Sequence, residues 1–183
     1  MHEWKIFFDL QCPFSKKLRQ LLPAIKARYG PMGYKITTHI ISLAFHRQSF
    51  PAHCAAYLVG IEKGDDCRLR FEEACYENLD LYVDEAVTSM TKAEVNEVFA
   101  SIAEKAGVLD DTFSKEMFVQ SLQDRNRVIM PTWFEHKQAL VLGVFKAPQH
   151  VLNGVLIPDT DSSWSVDEYE PVLKKHLENY PEV

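Results

Sequence analysis

A cysteine stands near the start of this chain at the seam between two periodicities, and no other feature restricts the fold as strongly. Residues 4–8 form a short apolar stretch that reads as a strand, and residues 14–29 carry a helical pattern. Between them lie Asp9, Leu10, Gln11, Cys12 and Pro13. Proline is favoured at the first helical position, because its missing N–H would have no partner there. Pro13 therefore puts Cys12 at or just before a helix N-terminus. Unpaired backbone N–H groups and the positive end of the helix dipole favour an anion at such a place. A thiolate is an anion, and it is the reactive form of cysteine. The helix end alone contributes about 0.3–1 kcal/mol, up to ~2 when partly buried. N–H···S bonds and the nearby Lys16, Lys17 and Arg19 are expected to add to it. Cys12 thus reads as a reactive thiol rather than a small apolar filler.

The rest of the chain reads as a frame for this stretch. Gly30-Pro31-Met32-Gly33 punctuates the first helix. Residues 34–43 are β-branched and alternating, which predicts a second strand. A strand–helix–strand order this short implies a parallel pair with a right-handed crossover. From 51 to 142 the pattern turns helical. Residues 52–61 form one segment. Residues 68–90 form a longer one, in which Phe71, Cys75, Leu79, Val83 and Val87 recur every four positions. Thr91 and Glu94 make a capping box for the next helix, with Val95, Val98, Phe99, Ile102 and Ala106 as its buried stripe and Gly107 at its end. Asp110-Asp111 can cap another segment, with Phe113, Met117 and Phe118 inward. Pro131 interrupts the pattern, and Thr132 with Glu135 forms a second capping box that restarts a helix through Leu142. Residues 143–157 read as a β-hairpin turning at Asn153-Gly154. Residues 165–180 form a last amphipathic helix on Val166, Tyr169, Val172, Leu173 and Leu177.

Two parallel strands, a block of helices, then a hairpin and a helix predict an α/β chain. The architecture is a thioredoxin-like fold: a mixed four-stranded sheet flanked by helices, with an all-helical insertion. The expected division is 1–50 with 140–183 as the thioredoxin-like domain and 51–139 as the insertion.

The 183 residues carry a net charge of −6 without a basic block, which argues against a nucleic-acid partner. The longest apolar run, 139–145, is far short of the ~20 residues a membrane helix needs. The first residues do not resemble a secretory signal, so a cytoplasmic location is expected. The four cysteines, Cys12, Cys54, Cys67 and Cys75, match neither Cys-x-x-Cys nor a zinc spacing. Free thiols and no metal are therefore expected.

Phe8-Asp9 and Cys12-Pro13-Phe14-Ser15 at one end, and Gly143-Val144 through Pro148 with Val151-Leu152-Asn153-Gly154 at the other, form a recognisable pair of motifs. On these residues the chain resembles the DsbA-like branch of the thioredoxin superfamily. Residues 46–61 and 93–113 are similar in kind to that branch's helical insertion. The chain is also similar to the glutathione transferase kappa and hydroxychromene-carboxylate isomerase branch, where serine occupies the first motif position. The resemblance implies that Pro148 is a cis proline facing the active cysteine. Ala147 then has backbone free to pair with an extended peptide or with glutathione. Ser15 stands where redox-pair members carry a second cysteine, so a mixed disulfide on Cys12 must wait for an outside thiol. Phe14 stands where strongly oxidising members carry histidine, which implies a less oxidising site.

The expected function is that of a thiol–disulfide oxidoreductase with one nucleophilic cysteine. Cys12 attacks, Ser15 donates a hydrogen bond to its sulfur, and Pro13, Phe14, Ala147 and Pro148 bind substrate. Partners are protein or small-molecule disulfides and thiols, with glutathione as a co-substrate and no resident cofactor. Two alternatives stand beside it. One is a kappa-like glutathione transferase or isomerase, in which Ser15 or the helix end activates glutathione. The other is a non-enzymatic peptide-binding module. Cys54, Cys67 and Cys75 read as inward-facing structural thiols, although one of them could resolve the mixed disulfide. His46 and His53 read as surface or capping histidines. His150, near Pro148, could approach Cys12. Asp9 reads as a strand-end residue near solvent, and if buried it could relay protons. Trp164 and Tyr169 read as packing residues.

Overall fold

The computed structural model describes residues 1–158 and 160–181. Strand β1, His2–Phe8, leads to helix α1, Pro13–Tyr29, then to β2, Tyr34–Ile40. Helices α2 (Ser49–Lys63), α3 (Asp65–Glu77), α4 (Lys92–Lys105), α5 (Lys115–Ser121) and α6 (Met130–Val141) follow. Strands β3 (Gln149–Leu152) and β4 (Val155–Ile157) and helix α7 (Tyr169–Asn179) complete the order. The strands form one four-stranded mixed sheet in the order β2-β1-β3-β4. β1 runs parallel to β2, with Trp4 opposite Ile36 and Phe8 opposite Ile40. β3 runs antiparallel to both β1 and β4. The fold is the expected α/β, thioredoxin-like one.

Alternation along β1 supplies both layers of the core, because successive side chains leave opposite faces of a strand. Trp4, Ile6 and Phe8 meet Leu18, Leu22, Ile25 and Tyr29 of α1 and Tyr169 and Leu173 of α7. Phe7 faces the other way, into a group with Ile41, Ala139, Val144 and Val151. Each such side chain contributes roughly 1.5–3 kcal/mol when fully buried. Helix α1 continues through Pro23, which lies on its exposed face.

The chain divides into two compact units, Met1–Ile41 with Lys137–Val183, and Ser42–His136. The helical unit thus spans 42–136, where 51–139 was the expected insertion. Within it, Arg68 pairs both nitrogens of its fork with Glu135, at 3.2 and 2.9 Å, and its Nε with Glu72 at 3.2 Å. Among the described residues, no helix is long and apolar enough to cross a membrane.

Several element boundaries differ from expectation, each for a local reason. Helix α3 stops at Glu77 rather than near 90, because Asn78 caps it and turns its side-chain amide onto the Ala74 carbonyl at 2.9 Å. A short 3-10 turn follows at Leu79–Leu81, and Tyr82 fills the core, donating its hydroxyl to the Cys75 carbonyl at 3.2 Å. Pro131 does not interrupt a helix. Asp124 accepts from the Asn126 and Arg127 amides, both at 2.9 Å, and opens a π-helical turn, Arg125–Ile129, that runs directly into α6. Thr132 is no cap, since its hydroxyl donates back to Val128 at 2.7 Å. Ser114, not Asp110-Asp111, caps α5, and Met117 faces solvent. Residues 143–148 precede the hairpin instead of forming part of it. The turn itself is as expected, with Asn153 at φ 50° and Gly154 at φ 82°.

Candidate active site

The turn from β1 into α1 is built by Asp9. Its side chain is fully buried, where a strand-end residue near solvent was expected. Its Oδ1 accepts from the Gln11 amide at 2.7 Å, and its carbonyl accepts from the Cys12 amide at 3.1 Å. Its own amide donates to Ser15 Oγ at 3.0 Å. These bonds tie the strand end to the first helical turn and put Cys12 at the N-cap of α1, with φ −89° and ψ 121°. The Cys12 carbonyl accepts from Lys16 at 3.1 Å, the first bond of the helix.

Opposite the cysteine lies the segment before β3. The Cys12 thiol donates to the Ala147 carbonyl at 3.3 Å. The Ala147–Pro148 peptide bond is cis. Cys12 is only 3% exposed, whereas Phe14 is 61% and Phe145 67% exposed, so two open aromatic rings accompany a sheltered sulfur. Pro13 is also exposed. The site therefore brings Cys12, Ala147 and Pro148 together, and leaves Pro13 and Phe14 at the surface next to the cysteine.

No family model matches the sequence, and no curated protein matches it. Solved structures do. A candidate protein-disulfide isomerase from Pseudomonas syringae superposes with a TM-score of 0.74 at 16% identity, over 93% of each chain. The oxidoreductase DsbA from Xylella fastidiosa gives 0.64 at 18% identity, over 96% of this chain and 86% of that one. The MdbA protein of Corynebacterium diphtheriae, a thiol-disulfide oxidoreductase, gives 0.62 at 14% identity, over 91% and 82%.

The fold is DsbA-like.

Within this DsbA-like frame several expected contacts are replaced by others. Ser15 is fully buried and its hydroxyl accepts the Asp9 amide; the sulfur's hydrogen-bond partner is Ala147 rather than Ser15. His150 does not serve Cys12. It is buried in the sheet, Trp4 Nε1 donates to its Nδ1 at 3.1 Å, and burial together with the Lys146 charge pushes its pKa down to about 3. Arg19 is nearly buried, with its guanidinium 5.7 Å from the centre of the Phe8 ring. His53 is no surface or capping residue. It is fully buried against Glu135 at 3.0 Å, and burial lowers its pKa. Cys54 and Cys75 are buried, the first pushed up to about 11 and the second well above the ordinary thiol range, both mainly by burial. Cys67 departs from the inward reading: it is half-buried and accepts from Arg70 at 3.1 Å. Trp164 packs edge-on against Tyr169.

One site residue escaped the sequence reading. Gln149 is fully buried, and its Oε1 accepts from the Phe145 amide at 2.9 Å and the Lys146 amide at 3.2 Å. A signal for it existed. A polar residue directly after a proline, two positions before the core residue Val151, shares that residue's face of the strand.

Proposed function

We propose that the protein is an enzyme, a thiol–disulfide oxidoreductase with Cys12 as its single nucleophile. The observation that carries this reading is Cys12 at the N-cap of α1 with its sulfur 3.3 Å from the Ala147 carbonyl. A helix N-terminus favours the thiolate, and the facing segment offers backbone to a substrate. The fold shared with a thiol-disulfide oxidoreductase and with a DsbA supports the same chemistry.

The Cys12 thiolate attacks one sulfur of a disulfide. A bond forms between the two, the old S–S bond breaks, and the departing thiolate takes a proton from solvent. Ser15 cannot form a disulfide, so an outside thiol attacks the mixed disulfide, leaving with the substrate sulfur and returning Cys12 as a thiolate. Glutathione has the required chemistry and is the co-substrate of this reading. Partners are then protein or small-molecule disulfides. Pro13, Phe14, Ala147 and Pro148 are the substrate-contacting set, and the exposed Phe14 ring suits an apolar side chain beside the scissile disulfide. The same reading puts the chain in the cytoplasm, where a glutathione pool can resolve the intermediate.

The test is turnover of a glutathionylated peptide by reduced glutathione. Catalysed release that disappears in Cys12→Ser supports the reading. No catalysis, or turnover that survives Cys12→Ser, contradicts it. Conjugation of glutathione to an electrophile by Cys12→Ala would point instead to a kappa-like transferase.

A further inference from the structure

We propose that Gln149 is a positioning residue that holds the Ala147 carbonyl over the Cys12 sulfur and so governs access to that sulfur. The inference rests on the reading of Cys12 as the nucleophile, but its geometry stands apart from any substrate. The Gln149 backbone is set by the sheet, where it pairs with Phe7 of β1. Its side chain is 0% exposed and reaches back from this rigid strand to the segment before Pro148. One carboxamide oxygen carries two lone pairs, and both are used, on the Phe145 and Lys146 amides at 2.9 and 3.2 Å. Two converging N–H donors also fix which end of the amide faces the segment. The next residue along is Ala147, whose carbonyl meets the Cys12 thiol at 3.3 Å.

The other end of the side chain strengthens the assignment. Gln149 Nε2 is buried and meets no acceptor among the described residues. An unpaired buried donor is unfavourable. The donor end therefore does not account for glutamine at this position, and the acceptor end does. Asparagine is one methylene shorter, and an apolar side chain of equal length offers no acceptor. The anchored segment in turn accounts for a cysteine that is 3% exposed although it sits at a helix start next in sequence to the exposed Pro13 and Phe14.

The experiment is alkylation by iodoacetamide, mapped cysteine by cysteine. The rate at Cys12 is taken at its high-pH plateau, so that ionisation does not enter. Cys54 and Cys75, buried in the helical unit, act as internal reporters of global opening. Gln149→Met keeps the length and removes the acceptor; Gln149→Glu keeps the acceptor and removes the donors. The expected result is a Cys12 rate raised about fivefold or more in Gln149→Met, the factor that losing even one of the two hydrogen bonds makes in an opening equilibrium, and a rate within about twofold of the native one in Gln149→Glu. Cys54 and Cys75 stay protected in both. An unchanged or lower Cys12 rate in Gln149→Met would overturn the proposal. So would a rise shared in step by Cys54 and Cys75, or a Gln149→Glu rate matching Gln149→Met. A native protein that fails to turn over a mixed disulfide would refute the oxidoreductase reading while leaving this contrast to stand or fall by itself.

Discussion

At the scale of single residues, the site depends on which hydrogen bond each polar atom makes. Ser15 is spent on the Asp9 amide rather than on sulfur. Ser15→Ala should therefore lower stability by about 1–3 kcal/mol, the cost of a buried amide without its acceptor, while Cys12 keeps its reactivity. Denaturant unfolding reads the first effect and thiol alkylation the second; an intact stability with a collapsed Cys12 rate would reverse the assignment. His150 gives a pH signature. Its pKa falls from the ordinary 6.5 to about 3 in the folded chain, so the unfolded chain takes up the proton first. Stability present above about pH 6.5 is then lost as pH falls toward 3, by up to ~1.4 kcal/mol per pH unit from this group. His53 acts in the same direction. His150→Gln keeps an acceptor for Trp4 and should flatten the loss measured by urea unfolding between about pH 6 and 4, with the His53 contribution remaining. An equal slope in both proteins would contradict a buried neutral His150.

At the scale of elements, a boundary was legible where a capping pair forms as its spacing predicts, and obscure where a member of that pair is engaged elsewhere. The Thr91–Glu94 box forms as read, with the Thr91 amide donating to Glu94 at 2.7 Å and the Glu94 amide to Thr91 at 3.3 Å. The same pattern at Thr132 and Glu135 misled, because Glu135 is engaged by Arg68 and His53, residues distant in sequence. The true start is Asp124, a helix-opening residue hidden by the π-helical turn between it and α6. Asp124→Ala should cost about 1 kcal/mol in denaturant unfolding, the usual value of an N-cap. No change would mean that packing of α6 alone sets the start. The four-residue recurrence from Phe71 to Val87 misled in another way. Periodicity counts apolar positions but does not register that Asn78 can turn its own side-chain amide onto the Ala74 carbonyl.

At the scale of the whole molecule, the order of strands and helices was readable because β1 and the 153–154 turn are each determined within a few residues. Alternation in β1 commits it to two buried faces, and Asn153-Gly154 commits the chain to a hairpin. The extent of the helical unit was less legible, since the alternation read through 43 ends as a strand at Ile40 and residues 44–50 carry no periodicity that assigns them to either unit. The pairing of Cys12 with Ala147 joins residues 135 apart, and only the motif resemblance anticipated it. Gln149 was missed for a different reason: its partners lie only three and four residues back, and the face it shares with Val151 went unread.

The central claim, a lone nucleophilic sulfur at the start of α1, is tested most directly by mild treatment of the intact protein with oxidised glutathione followed by mass mapping. The account predicts one glutathione, on Cys12, released by added thiol and absent from Cys12→Ser. An unmodified Cys12, or a disulfide joining Cys12 to Cys54, Cys67 or Cys75, would contradict it.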